Sequence, residues 1–466
     1  MSFQSTFFLF LLAKTTNYLT MKKHYFLILA LFGLMLTSKA QMISIPIYDN
    51  VLFYDGYAGI VSNPTAPGVV RLRNDLFTKK LTPAILSQIG STLELSVVIT
   101  AACDNYDRIG NVNLAFVPKN AVSYNTATTP RIELGRFITP FMNKNIQPNS
   151  VPYSFVVDNV AKILKDSYLN SIYDFWIELE VFGVPYAANT QVAGCAGRND
   201  VFFGTLDFIT YEAATIPNDT FILPLNFKKD LNNYAVGASD AVGTTVRTIN
   251  FNLTSPINNA KFELITSNHG SNSGGEEYNR RWHYITLDSN PILTYKPGEL
   301  TCEPYRYFNT QGNGIYGSTP RTPEQWQSFS NWCPGSVIPI REIALGNLSA
   351  GPHSFVISVP EAVFVGGQGY IPVSLYLQGQ NTVLGNDNFS FFDFEYYPNP
   401  TKEIINISSN YSIKSIQLID LQGRLLETKL VDETQSNFNI TNYSNGIYFL
   451  KVTSEKGSKI AKIVKE

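Results

Sequence analysis

The amino-acid sequence predicts an all-β protein with two packed β-sandwich domains and a small, independent β unit at the C-terminus. Among its 466 residues are 26 Tyr and 31 Phe, while 31 Gly and 25 Pro separate short runs in which apolar residues alternate. Alternation with a period of two is typical of strands that bury one face. Over residues 93–99, every odd-numbered residue is apolar, which predicts one such strand.

The predicted strands are short and numerous. Eleven are expected in the first 378 residues, too many for one ordinary sandwich, so the pattern favours two. Besides 93–99, they are 111–118, 132–140, 176–183, 202–211, 221–227, 248–253, 262–266, 282–287, 355–359 and 370–377. One helical pattern is present, over residues 157–169.

Two interruptions of the pattern divide the chain. The stretch AATIPND at 213–219 separates a first sandwich, expected over 43–212, from a second, expected over 216–378. A polar stretch rich in Gly and Asn begins at residue 379. We therefore expect a linker over 379–393 and the C-terminal unit over 394–466.

Residues 1–40 are predicted to be an over-extended start followed by an export signal. From Met21 the chain has two lysines, an apolar run, and a small-x-small site that ends at Ala40. The apolar run is short for a transmembrane span. We expect cleavage after Ala40 and no membrane span in the mature chain; the alternative is an uncleaved N-terminal anchor.

Composition argues against two classes of site. Only 15% of residues are charged and the formal net charge is −2, so the chain lacks the basic field that holds nucleic acid. The mature chain keeps His269, His283 and His353, which are scattered, and it has no C-x-x-C pair, so we predict no metal and no cofactor. Its four cysteines suggest disulfides, with three possible connectivities.

The C-terminal unit carries several motifs in a characteristic order. These are YPNP at 397–400, IDLQGR at 419–424, GIYFLKV at 446–452 and KIVK at 462–465. They resemble the type A C-terminal sorting domain of the type IX (Por) secretion system of Bacteroidetes. The resemblance implies export through the periplasm by the type IX secretion machinery, followed by release or attachment to the outer surface of the cell.

Three segments concentrate polar residues inside otherwise apolar patterns. They are CDNYDR at 103–108, WIELEVF at 176–182 and GGEEYNRRWH at 274–283. In the second, Glu178 and Glu180 alternate with apolar residues and share one strand face with Trp176 and Phe182. Taken singly, each segment is also explained by a local ion pair, a solvated strand face or surface charge.

The residues in these segments, and the order of the segments along the chain, resemble the motifs of the peptide-N-glycosidase F family, the glycoamidases of flavobacteria. The family motif CDxWDR is CDNYDR here, GRFITP is intact at 135–140, GxxEWCFRxH aligns with 274–283, and WCPG is present at 332–335. The matches extend over roughly residues 50–378 and include both predicted sandwiches. The resemblance implies two eight-stranded jelly rolls packed side by side.

The resemblance also implies a catalytic site at the interface between the two domains. Asp107 is expected to be the catalytic carboxylate, joined by Glu277 from the second domain and Glu180 from the first. Hydrolysis of a glycosylated Asn side chain needs an activated water and a protonated leaving nitrogen, tasks that carboxyl groups of different pKa can divide. The residues expected to contact substrate are Arg108, Phe182, Arg281 and Trp332. The implied substrates are N-glycosylated proteins or glycopeptides, and direct or water-relayed action of Asp107 stays open.

The cysteines follow the family pattern only in part. Cys302 and Cys333 match a family disulfide, which leaves Cys103 and Cys195 as the second pair. The family's disulfide partner just upstream of Cys103 is absent. The family also brackets its catalytic Glu with a short disulfide, and glycine 275 and asparagine 279 occupy those two places here.

Two further departures and two alternatives bear on function. Phe329 stands where the family has an Arg, and Phe182 where it has a Trp, so a divergent specificity is expected. One alternative is a non-catalytic glycan-binding or surface-interaction protein on the same fold. The other is a copper monooxygenase of the peptidylglycine type, which shares the double jelly roll but needs more His ligands than this chain supplies.

Overall fold

The computed structural model describes residues 42–211, 219–270, 275–328, 330–381, 394–454 and 457–466. The predicted export signal, the Met1–Thr20 extension and most of the predicted linker lie outside these residues. In the described part, strands dominate, as the alternation predicts. The chain divides into two compact units, one ending at Thr382 and one beginning at Val383.

The first jelly roll is built from nine strands of its own. They are β1 (Met42–Tyr54), β2 (Val69–Arg73), β3 (Leu76–Lys80), β4 (Glu94–Ala101), β5 (Ile109–Pro118), β6 (Arg131–Ile138), β7 (Ser150–Val156), β8 (Tyr173–Val181) and β9 (Asp200–Tyr211). One sheet has the order β1-β9-β4-β7. In β4 the predicted apolar face, Leu95, Val97 and Ile99, is fully buried, which confirms the expected strand.

The second jelly roll consists of two four-stranded sheets. Its strands are β10 (Thr220–Leu231), β11 (Val246–Leu253), β12 (Ile257–Thr266), β13 (His283–Leu287), β14 (Asn290–Tyr295), β16 (Arg341–Leu348), β17 (Gly351–Ser358) and β18 (Ile371–Asn381). The sheet orders are β10-β18-β12-β16 and β11-β17-β13-β14. Phe262, Phe355 and Leu377 are fully buried in the core between the two sheets.

One strand crosses the predicted division between the domains. The larger sheet of the first jelly roll has the order β15-β6-β5-β8-β3-β2, and β15 (Val337–Ile338) comes from the second part of the chain. It pairs with β6 through Val337 opposite Phe137 and Ile338 opposite Arg136. The first sheet is therefore completed by a segment more than a hundred residues beyond the boundary expected near residue 213.

The helical pattern over 157–169 corresponds to two short helices. They are Asp158–Lys165 and Ser167–Ile172, and Asp166 between them has extended backbone. The Asp166 carboxylate accepts a hydrogen bond from the Leu169 N–H and so caps the second helix. Further short helices, which the sequence did not predict, are Pro83–Gln88, Ala188–Gln191, Pro323–Gln327 and the 3₁₀ turns Glu303–Phe308 and Val365–Gly367.

A fully buried ion pair joins the two jelly rolls. In β6, Arg136 donates two hydrogen bonds to Glu133, from Nε at 2.8 Å and from Nη2 at 2.7 Å. Its Nη1 donates across the interface to Ser267 Oγ and to Pro372 O, both at 2.8 Å. Ser374 of the second jelly roll donates to Glu133. Because a buried charge is tolerated only when it is paired and hydrogen-bonded, this cluster fixes how the domains meet.

Both expected disulfides are present. Cys302 and Cys333 are joined, as the family resemblance implies, and Cys103 is joined to Cys195. The second bond ties the β4–β5 loop to the segment that precedes β9. Within the part of the chain described, no helix is both long and apolar enough to cross a membrane.

The C-terminal unit is a separate antiparallel sheet with its own core. Its strands are β19 (Phe394–Tyr397), β20 (Ile404–Ile419), β21 (Leu425–Asn439), β22 (Gly446–Ser454) and β23 (Gly457–Lys465). The long strand β20 pairs with β21 along most of its length, with β19 at its start and with β22 at its end. Ile405, Ile416 and Leu450 are fully buried in its core.

Replacing Arg136 tests the cluster between the jelly rolls. Arg136→Met leaves the buried Glu133 carboxylate without its cation, so we expect a loss of about 3–5 kcal/mol in the free energy of unfolding. The measurement is guanidinium denaturation of the mature chain. Arg198→Met is the control, because Arg198 pairs with Asp200 on the surface with 52% of its side chain exposed, and it should lose less than about 1 kcal/mol. Equal losses would contradict the assignment.

Candidate active site

Asp107 lies on the loop between β4 and β5, and its neighbours hold that loop tightly. Asp104, which is buried, accepts hydrogen bonds from the backbone N–H of Tyr106 at 3.0 Å and of Val184 at 2.7 Å. Its carboxylate also accepts from Arg108 Nε at 2.6 Å. These bonds satisfy both oxygens of Asp104 and fix the backbone on either side of Asp107.

The same loop is bonded to the end of β6. The Arg108 N–H donates to Thr139 Oγ1 at 2.8 Å, and the Thr139 N–H donates to Arg108 O, also at 2.8 Å. Thr139 lies three residues after Arg136 in the segment GRFITP. One short segment therefore contacts both the second jelly roll and the loop that carries Asp107.

Glu277 comes from the second jelly roll, in the turn between β12 and β13. Only 9% of the residue is exposed. Its Oε2 accepts a hydrogen bond from the Gly270 N–H at 3.0 Å, and its own N–H donates to Gly270 O at 3.3 Å. Tyr278 also hydrogen-bonds to the carboxylate. The position of this carboxylate is thus defined by contacts on two sides.

The structure brings Asp107 and Glu277 together across the domain interface. Burial raises the pKa of Asp107 to about 8, the charge of Glu277 adds to this rise, and Arg108 opposes it. Burial also raises the pKa of Glu277, against the hydrogen bonds from Gly270 and Tyr278. A half-buried and a buried carboxyl that influence each other and ionise with difficulty are typical of catalytic sites.

One oxygen of Asp107 has no protein partner. Its Oδ2 is buried and makes no hydrogen bond with any described residue. Buried polar atoms in folded proteins almost always have a partner, so an unpaired oxygen indicates a place for a water or a ligand donor. This oxygen belongs to the residue that the sequence predicted to be the catalytic carboxylate.

The rings of Tyr57, Tyr106 and Phe182, together with the guanidinium of Arg108, form what we call the aromatic rim next to Asp107. The guanidinium of Arg108 lies 5.4 Å from the ring centre of Tyr106 and 5.9 Å from that of Phe182. Phe182 in turn contacts Tyr57 edge to face, with 5.3 Å between the ring centres. Tyr57 is 72% exposed and Tyr106 is 41% exposed. Exposed rings with polar tips are suited to contact a sugar, which has an apolar face and many hydroxyls.

Glu180 has a different environment from the other two predicted carboxylates. It accepts hydrogen bonds from Arg73 at 2.7 Å and from Lys228 Nζ of the second jelly roll at 2.5 Å. Lys228 has a left-handed φ of 48° at an irregularity in β10, which directs its side chain across the interface. Although burial alone would raise the pKa of Glu180, the two cations hold it below its usual value. Glu180 is an ionised partner in a cross-domain ion pair and is not among the main groups that shift the pKa of Asp107.

Arg281 and Trp332 are engaged in contacts within the protein. Arg281 Nε donates to the buried Glu276 at 2.7 Å. Trp332 is only 4% exposed and donates its Nε1–H to Asn268 O at 2.9 Å. The Trp332 ring therefore offers little surface to a sugar, and Arg281 compensates the charge of Glu276. The Arg-to-Phe departure at Phe329 lies outside the described residues.

Several residues at the site were missed in the sequence. Tyr278 directly follows Glu277, and this adjacency is the only feature of the sequence that could have indicated it as a site residue. Burial, and to a lesser degree the charge of Asp107, raises the pKa of Tyr316, and burial with a contribution from Glu277 raises that of Tyr370 to about 12. These two tyrosines come from loops far apart in the chain, so no local pattern could connect them with the carboxyls.

Models of known families match three parts of the chain. Residues 44–196 match the N-terminal domain of peptide-N-glycosidase F, and residues 238–378 match its C-terminal domain. Residues 395–466 match the secretion system C-terminal sorting domain. No curated protein matches the chain.

Solved structures share the fold at low sequence identity. PNGF-II in space group P21 is 23% identical with a TM-score of 0.53, over 73% of this chain and 66% of that one. PNGF-II in space group C2 is 20% identical with a TM-score of 0.51, over 74% and 66%. The match therefore spans just under two thirds of the length of PNGF-II. PNGase F, a glycosylasparaginase from Flavobacterium meningosepticum, is 15% identical with a TM-score of 0.46, over 73% of this chain and 96% of that one.

The family matches cover most of both jelly rolls, including the loop that carries Asp107 and the turn that carries Glu277. Together the two matched ranges make up well over half of the chain. The PNGF-II structures have the same fold. The protein thus belongs to the peptide-N-glycosidase F family and ends in a secretion system C-terminal sorting domain.

Proposed function

We propose that the mature chain is an exported glycoamidase that hydrolyses the amide bond between an asparagine side chain and an N-linked glycan. The observation that carries this proposal is that Glu277 acts electrostatically on Asp107 across the domain interface, while Asp107 Oδ2 is buried with no partner among the described residues. The sorting domain supports export by the type IX secretion machinery to the cell surface or beyond. N-glycosylated proteins or glycopeptides are the proposed substrates.

The proposed reaction assigns a proton transfer to Asp107. The ionised carboxylate takes a proton from water, and the water oxygen attacks the amide carbon of the glycosylated side chain. The bond between that carbon and the nitrogen then breaks, the nitrogen leaves as a protonated glycosylamine, and the side chain becomes an aspartate. The pKa of Asp107 is about 8, so its ionised form is a far stronger base than an ordinary carboxylate. A modest rise in pH above neutrality produces that form.

Glu277 has an electrostatic task in this proposal. Its negative charge raises the pKa of Asp107 and so makes Asp107 a stronger base. Asp107 then passes the proton that it took from water to the leaving nitrogen, so Glu277 acts as a neighbouring charge and not as the acid. Glu180, held ionised by Arg73 and Lys228, supports the domain interface from which both groups project.

The aromatic rim is where the proposal places the first sugars. Arg108 is fixed by Asp104 and presents its guanidinium between the rings of Tyr106 and Phe182. The same rim would serve a protein that binds glycans without cleaving them. Catalysis is the better supported function, because a binding surface has no need of two interacting carboxyls with raised pKa values.

The direct test is cleavage of a denatured N-glycoprotein by the purified mature chain. Mass spectrometry should show Asn converted to Asp at the former glycosylation sites. Asp107→Asn removes the base and should lower the rate on the order of 10²- to 10⁴-fold. Asp174→Asn, remote from the site in the same jelly roll, should retain the rate. Full activity of Asp107→Asn would contradict the role of Asp107, while glycan binding without conversion by the unaltered chain would favour the binding protein.

The pH dependence of kcat/KM tests the contact between the two carboxyls. Activity should rise with pH through a limb near the pKa of Asp107, about 8, since the base must be ionised. Glu277→Gln removes a negative charge beside Asp107, so the pKa of Asp107 should fall and the limb should move to lower pH. A limb that keeps its position in the slower variant would show that Glu277 does not act on Asp107.

Protein stability provides a test that needs no substrate. An unfolded aspartate has a pKa of about 3.9, whereas that of Asp107 in the folded protein is about 8. Between these values the folded chain binds more protons than the unfolded chain, so stability falls as the pH rises. Asp107→Asn removes this loss of stability. Thermal unfolding should show that the free energy of unfolding of the variant exceeds that of the unaltered chain by at least about 1 kcal/mol at pH 9, and by much less at pH 4.

The control for this measurement is Asp174, whose pKa is shifted in the opposite direction from that of Asp107. Although burial opposes it, hydrogen bonds from Lys80 and Lys119 lower the pKa of Asp174. Asp174→Asn should therefore lose stability at pH 9 relative to pH 4. A gain for both variants at high pH would mean that net charge, and not the surroundings of Asp107, causes the effect.

A further inference from the structure

The turn that carries Glu277 lies against a short segment, residues 330–333, which we call the brace. Within it, Asn331 donates from Nδ2 to Glu276 O at 3.0 Å and to Glu277 O at 2.6 Å. The Asn331 N–H also donates to Glu277 O, at 3.2 Å. Both backbone carbonyls around the proposed catalytic Glu277 are thus held by a single residue that is only 6% exposed.

The brace is itself fixed at several points. Ser330 is buried and has a left-handed φ of 59°, a conformation that is uncommon outside glycine and tends to persist where the surroundings impose it. Its carbonyl accepts from Arg280 Nε at 2.9 Å, so the far end of the turn is held as well. Trp332 is bonded to Asn268 O, and Cys333 is tied to Cys302 by a disulfide.

Asn331 is chemically suited to this place. A primary amide nitrogen has two hydrogens, so it can donate to two carbonyl oxygens at once. With the nitrogen directed at Glu276 O and Glu277 O, the amide oxygen is directed elsewhere, and it is buried with no partner among the described residues. An aspartate of the same shape would direct a carboxylate oxygen at two carbonyls, with no hydrogen to donate.

We propose that Asn331 is a positioning residue that fixes the backbone of Glu277 and thereby the place of its carboxylate in the site. The proposal rests on the proposed function, since it assigns a task to Glu277 in that reaction. The brace sets the backbone of Glu277, Gly270 sets its carboxylate, and the position of the carboxylate sets the charge that Asp107 experiences. A displacement of about 1 Å in a reacting group can lower a rate about 100-fold.

The kinetic test compares Asn331→Leu and Asn331→Asp with the unaltered chain on a glycopeptide. We expect kcat to fall about 100-fold in Asn331→Leu, with KM altered much less, because the substrate rim is untouched. In the Glu277→Gln background, the same change should have almost no further effect, since residues that act through one group are not additive. Losses that multiply in the double variant would overturn the proposal.

Hydrogen–deuterium exchange tests the brace without substrate. The backbone amides of residues 276–280 should exchange faster in both Asn331 variants, while those of β12 and β18 stay as protected as in the unaltered chain. Asn290→Leu is the matched control, because Asn290 is an exposed asparagine of the same domain that donates to Asp288 O at 3.2 Å. Unchanged exchange over 276–280 would overturn the proposal.

The two measurements separate two kinds of failure. An inactive unaltered chain would defeat the proposed function, while exchange would still decide whether Asn331 orders the turn. An active chain whose kcat is insensitive to both Asn331 variants would leave the glycoamidase intact and defeat the positioning role. Asn331→Asp, which preserves the side-chain shape, keeps the test usable where Asn331→Leu fails to fold.

Discussion

The buried pair of Glu133 and Arg136 is the contact on which the rest of the molecule depends. A guanidinium placed in a protein interior needs hydrogen-bond partners for its nitrogens, and all three nitrogens of Arg136 have them only when both jelly rolls are present. Three residues further on, Thr139 is bonded to the loop that carries Asp107. The relative position of the domains and that of the Asp107 loop are therefore set by one short segment of β6 and its end. A site divided between two domains requires such a link, because its carboxyls have no covalent neighbour in common.

Identical functional groups behave differently in this interface because their surroundings differ. Asp107 is desolvated near another carboxyl and ionises with difficulty, whereas Glu180 is bonded to two cations and ionises readily. The contrast follows from the balance between loss of solvent and nearby charge, not from the residue type. The proposed function therefore gives the proton transfer to Asp107 and a supporting charge to Glu180. Both were predicted to be catalytic from the sequence, because a sequence contains no measure of burial.

The fold was predictable where one local pattern decides it. Strands with a regular alternation, such as β4, were predicted because burial of one face suffices to select them. The first three strands were not, since β1 contains a proline and its pairing with β9 has three register shifts, and β2 and β3 are only five residues each. For the site, the residue identities in the family motifs indicated Asp107 and Glu277. The spacing of the charged residues alone was equally consistent with surface charges. Asn331 had no signal at all, because its contacts depend on a segment more than fifty residues away.

Because the two-residue strand β15 of the second part of the chain pairs with β6, neither jelly roll can be encoded and folded without the other. A polypeptide that ends with β9 would leave the edge of β6 open and Arg136 Nη1 without its two acceptors, so such a fragment is poorly suited to fold or stay in solution. Recombination that exchanges one jelly roll for that of a distant relative would meet the same obstacle. Changes in specificity are then expected to accumulate by substitution in the rim loops, with the pair of domains inherited as one unit.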